Sequence, residues 1–199
     1  MKYKLTKTTS IHNYTILYQI IALKDFADIK AGDLGGYIES EANLAQDGNC
    51  WVFGNTKVSE NARVFGDAKV SGNAEVFGDA ELCGNAEVSG NAQVFGNAEV
   101  HGNAQVFGDL KIQSGRWSQT PFFCQGSQHS IHFAAPDLLA IGCEVHTLKH
   151  WFINYEQIAV KNRYSQAVIN EYFFYLLAAE NYQQTYLKDQ LDGSELPSI

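Results

Sequence analysis

From Val52 to Ile112 an aliphatic residue returns at every sixth position without a break: Val52, Val58, Val64, Val70, Val76, Leu82, Val88, Val94, Val100, Val106 and Ile112. Within each hexad the fifth residue is Ala in eight of the ten complete repeats, the third is Gly in nine, and the fourth is always Asn or Asp. Ala at position 5 and the next aliphatic residue are two apart, so on a strand they share a face. Gly followed by Asn or Asp makes a corner, because these residues tolerate positive φ best. Each hexad is therefore a short strand and a sharp turn, with one small and one β-branched side chain turned inward. A helix is excluded, since 3.6 does not divide six and Gly recurs too often. A fixed short period of this kind predicts a parallel β-solenoid.

Charge decides the number of sides. Strands of adjacent coils lie ~4.8 Å apart, so like charges in register repel. Three hexads per coil stack Lys57 on Glu75, Arg63 on Glu81 and Lys69 on Glu87, and leave Glu81 over Glu99 as the repulsive pair. Two hexads per coil would stack Lys57 on Lys69 and Glu75 on Glu87. Phe53, Phe65 and Phe77, and later Phe95 and Phe107, recur at twelve, which a two-sided coil would stack. The charges outweigh this pattern, and a three-sided coil is predicted.

The V-x-G-[ND]-A-x repeat resembles the hexapeptide-repeat proteins, and that resemblance implies a left-handed, triangular parallel β-helix. The flanks DLGGYIESEANLAQDGNCWVFGN (Asp33–Asn55), QTPFFCQGSQHS (Gln119–Ser130) and IGCEVHTLKHW (Ile141–Trp151) are similar to hexapeptide-repeat proteins of phages, prophages and some bacteria, a group labelled as acyltransferases by fold alone. Some hexapeptide acyltransferases use a His as general base at a subunit boundary. The resemblance thus points to His101, the His inside the repeat, or to His146, with acyl-CoA as the donor. Such enzymes usually carry a loop inserted in the coil, and Val52–Ile112 runs without one. Trimers are usual in the family.

Outside the regular repeat the pattern changes. Residues 1–37 read as capping strands, with Tyr14, Ile16, Tyr18, Ile20 and Ala22 on one face. Ala31–Gly36 (AGDLGG) reads as a turn. The coil with its C-terminal cap is expected over 38–145. Ile38 and Leu44 are six apart and Ala42 fits position 5, while Cys50–Trp51 shifts the register by two and predicts a bulge or a corner insertion. From Leu148 a helical stripe appears, with Thr147 as its N-cap, and Ser165 caps a second helix. Residues 146–187 thus predict a helical hairpin, and 188–199 a flexible tail. So apolar a hairpin must lie on something, either the outward Phe residues or another subunit.

Composition narrows the function. A net charge of −8 argues against nucleic acid and anionic membrane as partners. Four scattered cysteines are no disulfide framework, and no apolar h-region follows Met1, so a soluble protein of the bacterial cytoplasm is expected. Cys143, His146 and His150 are spaced like soft-metal ligands, but no paired Cys-x-x-Cys accompanies them and no metal is expected. Cys143 with His146 or His129 could form a nucleophile pair, although its apolar run points to burial. Arg116, Trp117, Gln125, Ser127 and His129 could line a polar pocket with an aromatic wall, or close the end of the coil. Phe53, Phe65, Phe77, Phe95, Phe107, Glu75, Glu81, Glu87 and Glu99 read as an interaction face. The preferred reading is a non-enzymatic interaction module that self-associates as a trimer or dimer. It would bind, and inhibit, a host protein on behalf of a phage or prophage. An acyltransferase and a small-ligand-binding protein are the alternatives.

Overall fold

The computed structural model describes residues 1–192. It divides into two units, Met1–Thr120 and a second that begins at Pro121. In the first, β1 (Tyr3–His12), β2 (Thr15–Ala22) and β3 (Leu34–Ile38) form an antiparallel meander. Two-residue strands follow, one per hexad: β4 (Trp51–Val52), β5 (Lys57–Val58), β6 (Arg63–Val64), β7 (Lys69–Val70), β8 (Glu75–Val76), β9 (Glu81–Leu82), β10 (Glu87–Val88), β11 (Gln93–Val94), β12 (Glu99–Val100), β13 (Gln105–Val106) and β14 (Lys111–Ile112). β15 (Arg116–Trp117) ends the run.

Every third strand stacks in parallel. β3, β5, β8, β11 and β14 make one side, β4, β7, β10 and β13 the second, and β6, β9, β12 and β15 the third. The result is a three-sided solenoid of about four turns. Its shaft is dry: Val52 to Ile112 and the alanines between them are at most 1 % exposed. Lys57 and Arg63 pair with Glu75 and Glu81 at 3.3 and 3.2 Å, as the charge pattern requires. Glu81 does stand beside Glu99, and Arg116 at 3.0 Å from Glu99 offsets the repulsion. Corner amides form ladders as well; Asn55 donates to Asn73, Asn73 to Asn91, and Asn91 to Asp109.

The corner glycines from Gly54 to Gly108 hold φ between +57° and +73°. Glu60, the exception at position 3, adopts φ +58°. Its carboxylate repays the strain locally by accepting from the Gly78 N–H at 2.9 Å. At the N-terminal end, Ile38 pairs with Val58 and Leu44 with Val64, two residues further along than the later rungs. The extra pair sits in the corner between Leu44 and Trp51, where the shift was expected.

Three local expectations change. Ala42 is exposed in a short 3-10 turn (Glu41–Asn43), and the buried Asn43 replaces it, its amide donating to Glu60 O and Ala62 O. Gly35 and Gly36 lie in β3, not in a turn. A Cβ on either would fall 2.7–2.8 Å from a backbone oxygen of the coil. Tyr14 and Ile16 do not face inward with Ile20 and Ala22, because the meander is bulged and Leu17 takes the buried position.

The second unit has its own core. β16 (Phe123–Gln125), β17 (Ser130–Ala135), β18 (Leu138–Ile141) and β19 (Glu144–His146) form an antiparallel sheet. Residues 121–145 therefore belong with the helices and do not extend the coil. α1 (Leu148–Lys161) and α2 (Gln166–Tyr182) follow, with Thr147 and Ser165 as N-caps. The hairpin lies on this sheet: the Trp151 indole donates to Leu139 O, and Tyr182 stacks on Phe133. Beyond α2 a π turn (Gln183–Leu187) runs into α3 (Lys188–Asp192), where a tail was expected; the rest of that tail lies outside the described residues. Among the described residues no helix is long and apolar enough to cross a membrane.

Candidate functional site

His101 follows β12 on the third side of the coil. Its N–H donates to Trp117 O at 2.9 Å, and the eighteen-residue rung puts it in one column with Phe65 and Cys83. Burial, and then the Glu81 and Glu99 carboxylates, push the Cys83 thiol up. The Arg63 guanidinium lies over the Phe65 ring. This column can offer a base and an aromatic contact.

The proposed interaction face is not one face. Phe53, Phe107 and Glu87 lie on the second side, Phe65, Glu81 and Glu99 on the third, and Phe77, Phe95 and Glu75 on the first. A twelve-residue recurrence in an eighteen-residue rung steps from side to side. Only Phe77 and Phe95 are a rung apart, and they stack at 5.1 Å with rings 7° from parallel.

The turn between β1 and β2 was not singled out by sequence. Asn13 and Tyr14 both have positive φ, +47° and +65°, the backbone of a tight two-residue hairpin turn. Tyr14 is fully exposed, and the cross-strand pair Ile11–Ile16 beside it is exposed as well. His12 anchors this tip to the coil: its Nδ1 lies 3.0 Å from Lys57 Nζ and its Nε2 3.5 Å from Glu75.

The residues read as one polar pocket separate. Arg116 and Trp117 belong to the coil. Trp117 is 1 % exposed, pairs over Val100, and donates its indole N–H to Ser114 O, so it closes the shaft. Gln125, Ser127 and His129 belong to the second unit. Ser127 donates to Glu171 through both N–H and hydroxyl, at 2.8 and 2.5 Å. The Tyr172 hydroxyl accepts from the N–H of Gln128 and His129 and donates to His129 O. Gly126 carries no Cβ because one would lie 2.6 Å from that hydroxyl. Tyr172→Phe should therefore loosen the 126–129 loop and lower stability by about 1–3 kcal/mol in urea unfolding; an unchanged midpoint would contradict the arrangement.

Ser127 and Tyr175 hold the Glu171 carboxyl below the usual carboxylate range. A depressed folded pKa adds stability above the unfolded value of about 4.3, lost as pH falls through the folded one. The protection factor of the Ser127 amide, corrected for intrinsic exchange, should fall as pH drops through the lowered Glu171 pKa, and Glu171→Gln should remove that fall.

Beside this loop the second unit holds a cavity of about 60 Å³ that is partly open to solvent. Ile141, Ala159, Ile169 and Leu176 form its apolar lining, Trp151, Tyr155, Tyr164 and Tyr172 its aromatic lining, and His129, Cys143, Glu144 and Asn162 the polar part. Cys143 is exposed, against the expectation of burial, because Gly142–Cys143 is the turn between β18 and β19. The His129 ring packs on Gly142, where a Cβ would fall 2.9 Å away. His146 lies 3.1 Å from Glu144, stacks on His150 and meets the Trp151 ring edge-on. Among the described residues no group of three His, Cys, Asp or Glu could hold a metal ion.

A three-sided coil of V-x-G-[ND]-A-x rungs fits the hexapeptide-repeat proteins. No family model matches the chain. The chain is 39 % identical over 77 residues to the uncharacterized acetyltransferase YdcK of Escherichia coli (strain K12). The match takes in 31 % of the chain and spans 24 % of that relative's length. Repeat, fold and relative together fit the hexapeptide-repeat group labelled as acyltransferases.

Proposed function

We propose that the chain is a binding module whose solenoid holds the β1–β2 tip rigidly toward a protein partner. One observation carries this reading: Tyr14, fully exposed on a strained backbone and flanked by exposed Ile11 and Ile16, is pinned to the coil through His12. Exposed aromatic anchors on a preorganised support are what interface hot spots use. The partner would be a bacterial host protein, inhibited on behalf of a phage or prophage, and the module would self-associate as a dimer or trimer. The test is capture from a bacterial lysate with the intact chain and with Tyr14→Ser and Phe77→Ser variants. A partner lost with Tyr14→Ser but kept with Phe77→Ser supports the tip; a partner indifferent to Tyr14 overturns it.

A second reading is favoured by the acetyltransferase name of the relative. His101 would then take a proton from an acceptor hydroxyl or amine as acyl-CoA gives up its acyl group. Acyl transfer abolished by His101→Ala would establish this reading and displace the first.

A further inference from the structure

We infer that α2 pairs with α2 of a second copy of this chain, antiparallel and across a two-fold axis. The inference gives the self-association proposed above its surface and its symmetry, and it rests on that part of the reading; the Tyr14 tip takes no part in it.

α2 is apolar on two opposite sides, and a helix of that kind has both sides to bury. Ile169, Tyr172, Leu176 and Ala179 fill the inner side, at most 6 % exposed. The other side is open. Phe174 is 68 % and Leu177 41 % exposed, and Ala167, Asn170 and Asn181 are exposed with them. α1 likewise exposes Ile153 and Val160.

The spacing of the open side says what covers it. Ala167, Asn170, Phe174, Leu177 and Asn181 stand three, four, three and four apart, the a/d seam of a coiled coil. Its centre is symmetric: midway between Phe174 and Leu177, an apolar residue and then an Asn follow at equal steps in both directions. An antiparallel second copy therefore sets Phe174 against Leu177 and Asn170 against Asn181, each pair twice, which is the self-complementarity a two-fold interface requires. Asn170 accepts from Gln166 at 3.0 Å, and both asparagines keep amide N–H groups for the opposite copy. A polar pair in such a seam fixes its register.

Charge selects a copy of this chain over a different protein. From Tyr164 to Leu187 the charged residues are Glu171 and Glu180, and neither lies on the seam or is fully exposed. Two chains of net charge −8 repel one another, and this uncharged strip is where they can meet. A partner of another kind finds no charge here to steer or select it.

Sedimentation equilibrium of the intact chain tests the inference. A monomer–dimer equilibrium is expected. Phe174→Glu should weaken the dimer by about a hundredfold, since an anchor is lost from both copies, while far-UV circular dichroism stays that of the folded chain. Leu177→Lys should do the same and serves alone if the first variant does not fold. Mixed in equal amounts, the two variants should dimerise again, because antiparallel pairing brings the new carboxylate against the new ammonium and leaves one Phe174–Leu177 contact intact. A chain that is monomeric at every concentration overturns the inference and the self-association together. A dimer or trimer that both folded variants leave intact overturns the inference alone, and variants that dissociate without rescuing each other overturn the antiparallel pairing. Capture of a host protein through Tyr14 is read separately and bears on none of these outcomes.

Discussion

Trp117→Ala should lower the stability of the coil by about 3–5 kcal/mol, the range for truncating a buried Trp. Trp117 stands where the next rung would place an aliphatic residue, over Val100, and it is 1 % exposed. A solenoid has no natural end. Its last rung exposes inward aliphatic groups and an unpaired edge unless something covers them. The indole does the first job, and its N–H is satisfied by Ser114 O at 2.9 Å. The backbone of β15 does the second, since Glu99 and His101 donate to Gly115 O and Trp117 O, each at 2.9 Å. The loss should therefore appear as a lower urea midpoint together with faster exchange of the Glu99 and His101 amides. Trp117→Phe, which keeps most of the volume, should lose far less. A Trp117→Ala protein with unchanged exchange at these amides would show that the coil is closed by some other residue.

Gly90→Ala and Gly108→Ala should differ sharply although both positions have the same backbone. Both have positive φ, +72° and +64°, so each substitution meets the left-handed penalty of about 1–2 kcal/mol. At Gly108 that is all, for a Cβ there has nothing within 4 Å among the described residues. At Gly90 the Cβ would lie 2.9 Å from Gly108 N and 3.0 Å from Gly108 O. Those are backbone atoms of the next rung, and they can move only by spreading the stack. Gly90→Ala should cost about 3–5 kcal/mol, in the range of exceptional single-site losses. Thermal melts of the two variants side by side measure the gap, and equal midpoints would refute the stacked-corner argument. Glu60 explains why one corner escapes glycine: its carboxylate hydrogen-bonds the rung above.

Legibility in the sequence follows the range of the contacts. In the coil each residue meets its own hexad and the residue eighteen on. One spacing therefore reveals the shaft, the sides and the pairs Lys57–Glu75 and Arg63–Glu81. The same spacing shows that Phe53 to Phe107 cannot share a side, although their recurrence at twelve suggests otherwise. The helices and their caps Thr147 and Ser165 were equally visible, since a cap reads only its neighbouring turn. The cavity was not visible beyond His129, Cys143 and the apolar stripes. Its walls come from β18, α1 and α2, and the hydroxyl of Tyr172 reaches His129 across 43 residues. The hairpin tip was hidden for a different reason. Tyr14 has strand-like chemistry, and nothing in its type announces a positive φ.

The repeat alone, then, determined the rung length, the dry shaft of valine and alanine, and the charge register, because a periodic chain meets itself at one fixed interval. The tertiary structure alone decided where the coil stops, that residues 121–145 turn into an antiparallel sheet under the helices, and which rings line the cavity. Those outcomes depend on volumes and hydrogen bonds between segments with no shared period. Only the packed arrangement decides which side chains satisfy one another.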